Sequence, residues 1–240
     1  NQYFVENIYD EKGRVQEQIL GGESMFFDYS TADEVTETDR KGYETTYAFN
    51  SDGNIISKEE FTDGVRAGDP ASFVTTYTYN DDQLKTSETL PRGNGVAYVY
   101  DEASSDVRSR ANLLEVRRKT DMSAADNNTN DIVTEMTYEP EFNQVKMITD
   151  PRGNVTTMTY DYELPTNDPD YGESGDLVKI ESPDVTGLGI AETSFSYNAY
   201  GQVIETTDPN SNVTQYAYNS TTGYLESATQ DPAGINAATE

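Results

Sequence analysis

At 240 residues the chain has room for one or two ordinary domains, yet only 34% of it is hydrophobic, and 44 acidic against 16 basic residues leave a net charge of −28. Such a surface repels nucleic-acid phosphate and anionic membranes. The absence of Cys and His excludes disulfides, thiolate nucleophiles, Cys/His zinc sites and any triad with a histidine base, and no apolar stretch approaches the ~20 residues of a membrane helix.

Taken in chain order, the residues spell one unit again and again: strand, turn, strand, turn. It opens at Tyr9-Asp10-Glu11-Lys12-Gly13 and returns as Phe27-Asp28 and Phe49-Asn50, with Asp39-Arg40-Lys41-Gly42 between them and Asn50-Ser51-Asp52-Gly53 after them. Residues 62–73 break the period and read as an edge loop. Tyr79-Asn80 and Tyr100-Asp101 bound the next unit. Asn80-Asp81-Asp82-Gln83 and Pro91-Arg92-Gly93-Asn94 form its turns. A second irregular stretch covers 102–131, with Asp101–Arg110 a candidate short helix. Tyr138 and Tyr160 follow, with a degenerate turn at Glu139–Asn143 and Asp150-Pro151-Arg152-Gly153-Asn154 between them. Residues 164–175 are the third edge loop. The last full unit is the clearest. Thr193, Phe195 and Tyr197 alternate onto one face, Asn198-Ala199-Tyr200-Gly201 is a type I turn, and Asp208-Pro209-Asn210-Ser211-Asn212 is its Pro-preset counterpart. Tyr218-Asn219 closes that unit, and Asp231-Pro232-Ala233-Gly234 is a further turn.

The spacing from Phe27 to Phe49, Tyr79 to Tyr100, Tyr138 to Tyr160 and Tyr197 to Tyr218 is the same each time, about 21–22 residues, which marks an internal repeat. A unit so short holds two strands and two turns, not a helix and a strand. The expectation is an all-β fold of antiparallel hairpins in one long, twisted or spiralling sheet over residues 1–240, each unit touching mainly its neighbours. With 18 Tyr, 8 Phe and no Trp, the aromatic mass suits a thin sheet, since Tyr buries its ring and keeps its hydroxyl at a wet edge. Tyr197 and Tyr218 are expected to be buried equivalents, as are Tyr138 and Tyr160. The chain begins at Asn1 without Met and stops at Thr239-Glu240, which reads as a piece of a longer protein.

Tyr9-Asp10-Glu11-Lys12-Gly13-Arg14-Val15 resembles the YD-repeat signature Tyr-Asp-x-x-Gly-Arg-Leu, and the Asp-Pro-x-Gly-Asn turns resemble its second half. The chain is thus similar to the RHS/YD-repeat family, with weaker copies over nearly its whole length. The resemblance implies hairpins wound into a large spiral sheet that in the family often closes as a shell around a toxin, or serves at the cell surface. Several expectations follow from it: a secreted or surface location on a bacterium, and a non-catalytic scaffold role. The expected partners are neighbouring repeats, an encapsulated toxin or a surface glycan. The family's Arg-x-Arg-Tyr-Tyr-Asp-Pro core motif is absent from the sequence.

Carboxylates are too common here for any pair to stand out as glycosidase-like. The best metal candidate is Asp168, Asp170, Glu173 and Asp176, whose oxygens could serve calcium from a flexible loop, although Gly172 stands where a third ligand of the D-x-D-x-[DN]-G pattern would be; a solvated acidic loop is the competing reading. Asp126–Asp131 is a weaker second. No other cofactor is expected. Asn127, Asn154, Asn212 and Asn219 begin glycosylation sequons, two of them being repeat turns. Tyrosines exposed on the array would offer stacking faces to sugars; those at repeat positions are expected in the core.

Overall fold

The computed structural model describes residues 4–62, 67–126, 130–183 and 189–230. The chain divides into two compact units, residues 1–100 with 116–132 and residues 101–115 with 133–240. Eighteen strands occur among the described residues. They are β1 (Val5–Tyr9), β2 (Val15–Leu20), β3 (Glu23–Asp28), β4 (Glu34–Thr38), β5 (Glu44–Phe49), β6 (Ile55–Phe61), β7 (Ser72–Tyr79), β8 (Lys85–Thr89), β9 (Gly95–Tyr100), β10 (Leu113–Lys119), β11 (Ile132–Tyr138), β12 (Val145–Thr149), β13 (Val155–Tyr160), β14 (Leu177–Ser182), β15 (Ala191–Tyr197), β16 (Val203–Thr207), β17 (Val213–Tyr218) and β18 (Leu225–Gln230). Within the first unit β1 to β9 pair antiparallel in chain order, and within the second β11 to β18 do the same. The only helical pieces among the described residues are α1 (Val107–Arg110), capped by Asp106, and a 3₁₀ turn at Asp161–Glu163.

Cross-strand register gives the sheet of each unit two chemically different faces, because paired residues point the same way. In the second unit one face carries Met136 opposite Ile148, Met158 opposite Ile180, Phe195 opposite Thr206, and Tyr216 opposite Ala228. The other carries Thr157 opposite Glu181, Lys179 opposite Ser194, Ser196 opposite Glu205, and Gln215 opposite Thr229. The first unit is less one-sided. Val35, Tyr47 and Lys58 line up on one face, where Lys85 Nζ sits 5.6 Å and 5.3 Å from the ring centres of Tyr77 and Tyr98. Its opposite face is a ladder of hydroxyls, with Thr36 and Thr46 2.8 Å apart.

Two details make the repeat. Register shifts fall just before Tyr9, Phe49, Tyr79, Tyr138, Tyr160, Tyr197 and Tyr218; a bulge there re-aims the ring. The re-aimed hydroxyl then donates to the carbonyl at the start of the preceding strand: Tyr79 to Ile55 at 3.0 Å, Tyr100 to Lys85 at 3.1 Å, Tyr138 to Leu113 at 3.1 Å, Tyr160 to Val145, Tyr197 to Leu177 at 2.8 Å and Tyr218 to Val203 at 2.9 Å. Tyr29 does the same to Val15 at 2.9 Å. This corrects the alignment of Phe27 with Phe49 that the sequence suggests. Phe27 instead faces Glu37 within the sheet. The alternation misleads because Phe27-Asp28 imitates the aromatic-Asx pair that ends other units.

Both turn grammars fold to one geometry. In the Asp10, Asp39, Asn50, Asp150, Asn198 and Asp208 turns the N–H of the first residue bonds the carbonyl of the fifth, and the N–H of the fourth bonds the carbonyl of the first. The first side chain accepts from the N–H groups of the third and fifth residues. The fourth residue takes positive φ, as in Gly53 (85°), Gly153 (82°) and Gly201 (72°), which is why glycine dominates there. Gln83 (64°) and Ser211 (65°) adopt it without glycine. The turn expected at Asp231–Gly234 lies outside the described residues.

Burial is lower than the repeat alone suggests. Among the described residues only Tyr160 and Val178, each 5% exposed, are buried apolar side chains. Tyr138, Tyr197 and Tyr218 are half-buried, so the hydrogen bond is common to all four tyrosines while the expected burial is met at Tyr160 alone. A sheet with one layer has only the next strand's side chains to cover each ring. The irregular segment 102–131 is not one loop, because β10 runs through it; Leu113-Leu114-Glu115-Val116 is the apolar signal for that strand. The other two edge loops do connect strands, β6 to β7 and β13 to β14. A further connection joins β14 to β15, marked by Pro183 and Gly189, and the repeat period does not reveal it.

Candidate functional site

The richest chemistry lies along one edge of the second unit, where successive turn tips line up. At residue 139 a glutamate replaces the usual Asx. Its longer side chain reaches the N–H groups of Glu141, Phe142 and Gln144 at 2.7–3.1 Å and accepts the Tyr162 hydroxyl at 2.6 Å. Glu139 is 2% exposed. Burial works to raise its pKa, but the Tyr162 hydroxyl and the three N–H groups outweigh it and hold the carboxyl below its usual range. The Tyr162 phenol is driven up by the same burial and by its bond to Glu139. The rings of Phe142 and Tyr160 flank Tyr162, at 5.4 Å and 6.5 Å between centres.

One tip further on, Asp161 is 4% exposed and satisfied by backbone alone, taking N–H bonds from Tyr162 (2.8 Å), Ser174 (3.0 Å) and Gly175 (2.9 Å). A Cβ at position 172 would collide with its carboxylate, so any larger residue there would displace Asp161 from these bonds. Asp176 lies nearby, and burial first, then the charge of Asp161, raise its pKa. The Tyr197 phenol is raised by burial and then by both aspartates. These groups line a cleft with Asp170, Tyr171 and Asn198.

The four calcium candidates have different surroundings in the structure. Asp170 and Asp176 border this cleft. Asp168 instead accepts the N–H of Asp170 at 2.9 Å, and Glu173 accepts the Tyr171 hydroxyl at 3.4 Å. Among the described residues no group of three or more acidic side chains is arranged to hold a metal ion. In the weaker candidate, Asp126 is paired with Lys119 at 2.7 Å, while Asn127 and the rest of its sequon lie outside the described residues. Asn154 and Asn212 each donate from Nδ2 to the aspartate of their own turn at 2.8 Å, and Asn219 to Glu226 at 2.7 Å.

Beyond the Asn198 turn comes a second cleft, lined by Asn198, Tyr200, Gln202, Tyr218, Asn219 and the 220–223 tip. Gln202 spans it, donating to the Gly223 carbonyl at 2.8 Å. Tyr200 is 87% exposed and Tyr224 76% exposed. The sequence alone does not single out Asp161, Glu139, Tyr162 or Tyr200. A tyrosine inside a turn motif is the available signal for Tyr200; the other three are brought together only by the edge alignment of distant turns.

Residues 197–235 match the RHS Repeat family model. Among solved structures the chain is similar to a TcdB2-TccC3-Cdc42 structure, at 15% identity and a TM-score of 0.50, over 95% of this chain and 14% of that one. It also aligns with the Photorhabdus luminescens Tc holotoxin pore, at 15% identity and a TM-score of 0.49, over the same shares. The chain thus spans only a small part of the length of these structures. At such identity the first likeness is one of fold. No curated protein matches the chain. Among the described residues no helix is long and apolar enough to cross a membrane.

Proposed function

We propose that this chain, whose residues 197–235 match the RHS Repeat model, is a stretch of wall: a non-catalytic scaffold segment of a larger secreted or cell-surface bacterial protein. One face of that wall turns toward enclosed contents, a toxin being the contents that the family resemblance implies. The observation that carries this reading is the one-sided sheet of the second unit. Met136, Ile148, Met158, Ile180 and Phe195 share a face and are only half-buried, while the reverse face is mainly hydroxyl, amide and charge, with Met147, Val155 and Val213 among them. A soluble sheet left this way exposes a row of apolar groups, which is the surface that an enclosed partner or an enclosed volume would cover.

The chain has no cysteine, so labelling is clean. Thr157→Cys and Met158→Cys put single thiols on opposite faces of β13. In the longer polypeptide that contains this segment, a small maleimide should reach both positions and a polymer-linked maleimide only one. Equal labelling of both by the large reagent would refute the wall.

A further inference from the structure

We propose that Asn94 modifies itself, losing its amide through a succinimide to isoaspartate, and that this frees the Asp121–Asp126 loop seated on the same turn. The first support is a turn of nearly identical sequence. Leu90-Pro91-Arg92-Gly93-Asn94 and Asp150-Pro151-Arg152-Gly153-Asn154 differ only at their first residue, and Gly95 follows one where Val155 follows the other. Their backbones match. Leu90 N–H reaches the Asn94 carbonyl at 2.7 Å and Gly93 N–H the Leu90 carbonyl at 2.8 Å, against 2.8 Å and 2.9 Å in the Asp150 turn. Gly93 and Gly153 both hold φ at 82°. Asp150 clamps its asparagine, accepting Asn154 N–H at 2.9 Å and Nδ2 at 2.8 Å, and Asp208 clamps Asn212 in the same way. A leucine side chain accepts neither bond, so Leu90 leaves the Asn94 amide unclamped.

The second support is the neighbour. Asn94-Gly95 is the only Asn-Gly pair in the sequence. A Cβ at position 95 would run into the Glu88 carbonyl, so the packing of β8 on β9 favours glycine there. Val155, Val213 and Ile55 shield the nitrogen after Asn154, Asn212 and Asn54 with branched side chains; Gly95 does not. Leu90 and Asn94 share the last hydrogen-bonded rung, so at the next, Thr89 opposite Gly95, the Gly95 N–H points away from β8. That nitrogen gives its proton to a solvent base and bonds to Asn94 Cγ, the Cγ–Nδ2 bond breaks, and Nδ2 leaves as ammonia. Water then opens the ring at the Asn94 backbone carbonyl to isoaspartate, or at Cγ to aspartate. The net change is amide plus water to carboxylate plus ammonium. Isoaspartate lengthens the main chain by a methylene where a loop is seated. The Gly93 carbonyl accepts the Met122 N–H at 2.7 Å, and the same loop holds Lys119, 5% exposed, through the Ala124 carbonyl and Asp126, each at 2.7 Å. The new carboxylate also adds charge beside a loop that already carries Asp121 and Asp126, so the loop lifts and Lys119 meets water.

The test ages the folded chain in mildly alkaline buffer and maps conversion at each asparagine by peptide mass spectrometry, with an isoaspartyl methyltransferase marking the product. Asn94 should convert about tenfold faster than Asn154 or Asn212, with isoaspartate the main product. Leu90→Asp, which rebuilds the Asp150 turn, should slow Asn94 about fivefold, as one added hydrogen bond allows, and should have no effect in urea, where no turn forms. Acetic anhydride should acylate Lys119 about tenfold faster in the converted chain than in the fresh one, and ageing should not change that rate in Asn94→Gln. Conversion of Asn94 no faster than that of Asn154 and Asn212 would overturn the proposal. A Leu90→Asp effect that is absent from the folded chain or persists in urea would overturn the clamp, and unchanged acylation of Lys119 after conversion would overturn the release of the loop.

Discussion

The tyrosine latch makes a quantitative claim that substitutions at Tyr160, Tyr197 and Tyr218 can separate into two parts. Tyr→Phe removes only the hydroxyl, which leaves one strand-start carbonyl without its partner and should cost about 1 kcal/mol at each position. Tyr→Ala removes the ring too. At Tyr160, 5% exposed, the loss should be about 3–5 kcal/mol. Tyr197 and Tyr218 are half-buried, so their rings should contribute roughly half of that, about 2 kcal/mol. Tyr200→Ala should be nearly neutral, within about 0.5 kcal/mol. The same geometry runs in reverse at Phe49, which follows the same bulge but has no hydroxyl. In each latch the accepting carbonyl belongs to the residue opposite the tyrosine's predecessor, and Ala48 lies opposite Glu34. Phe49→Tyr should therefore donate to the Glu34 carbonyl and gain up to about 1 kcal/mol. Urea unfolding followed by circular dichroism measures all of these, read as midpoint shifts at constant slope. If Tyr→Phe is neutral at all three latch positions while Tyr→Ala is costly, the hydroxyl bond contributes nothing and the repeat is held by ring packing alone.

The turns and the charge lead to further outcomes. The carboxyl of Asp150 is held below its usual range by the Asn154 side chain and N–H, and that of Asp208 by the same groups of Asn212; each therefore stabilises the fold above the unfolded value of about 3.9, and that contribution is lost as pH falls through the lower folded value. Asp150→Asn keeps the turn bonds, as Asn50 and Asn198 do, and should flatten the loss of stability below about pH 4 in acid titrations of the melting temperature; an unchanged profile would sink this. Asp176 has the opposite sign, since its raised pKa means stability is lost as pH rises through it, so Asp176→Asn should raise the melting temperature at neutral pH and not in acid. Gly153→Ser should cost about 1 kcal/mol and Ser211→Gly should gain a similar amount, because both positions hold positive φ with equivalent turn bonds; equal signs would refute the turn equivalence. Added salt should raise the melting temperature by screening, while millimolar calcium at constant ionic strength should leave both the chain and Asp170→Asn unchanged; a calcium-specific rise abolished by that substitution would refute this and assign a site to Asp168, Asp170, Glu173 and Asp176.

Much of the fold was legible because it is local. Turn residues and alternating apolar positions act over a few residues, and the period between Tyr197 and Tyr218 reports a hairpin directly. Two things were not legible. One is depth: periodicity says which way a ring points and not how many layers cover it, so Tyr197 and Tyr160 look identical in sequence and differ in burial. The other is contact along the edge. Asp161 meets Ser174 and Gly175, and Tyr162 meets Glu139 far back along the chain, because an inserted loop folds back over the tips. In sequence Glu139 looks like a damaged turn. Its extra methylene in fact lets one carboxylate serve a turn one residue longer, with Gln144 in place of the usual fifth position.

That division has a consequence for where function can vary. Strand positions are constrained twice, by the face they share with a partner and by the latch, and a one-residue slip would turn every side chain over. Turns are constrained at their first residue, which caps, and at their fourth, which needs positive φ. The second and third residues are held only by backbone, so they are free to carry Lys, Arg, Asp or the ring of Tyr200 without cost to the sheet. Insertions enter at the same tips, as the 164–176 segment does, and bring Asp170, Tyr171 and Asp176 beside the Asn198 turn. The edge is therefore the part of this array that can acquire recognition while the wall stays the same.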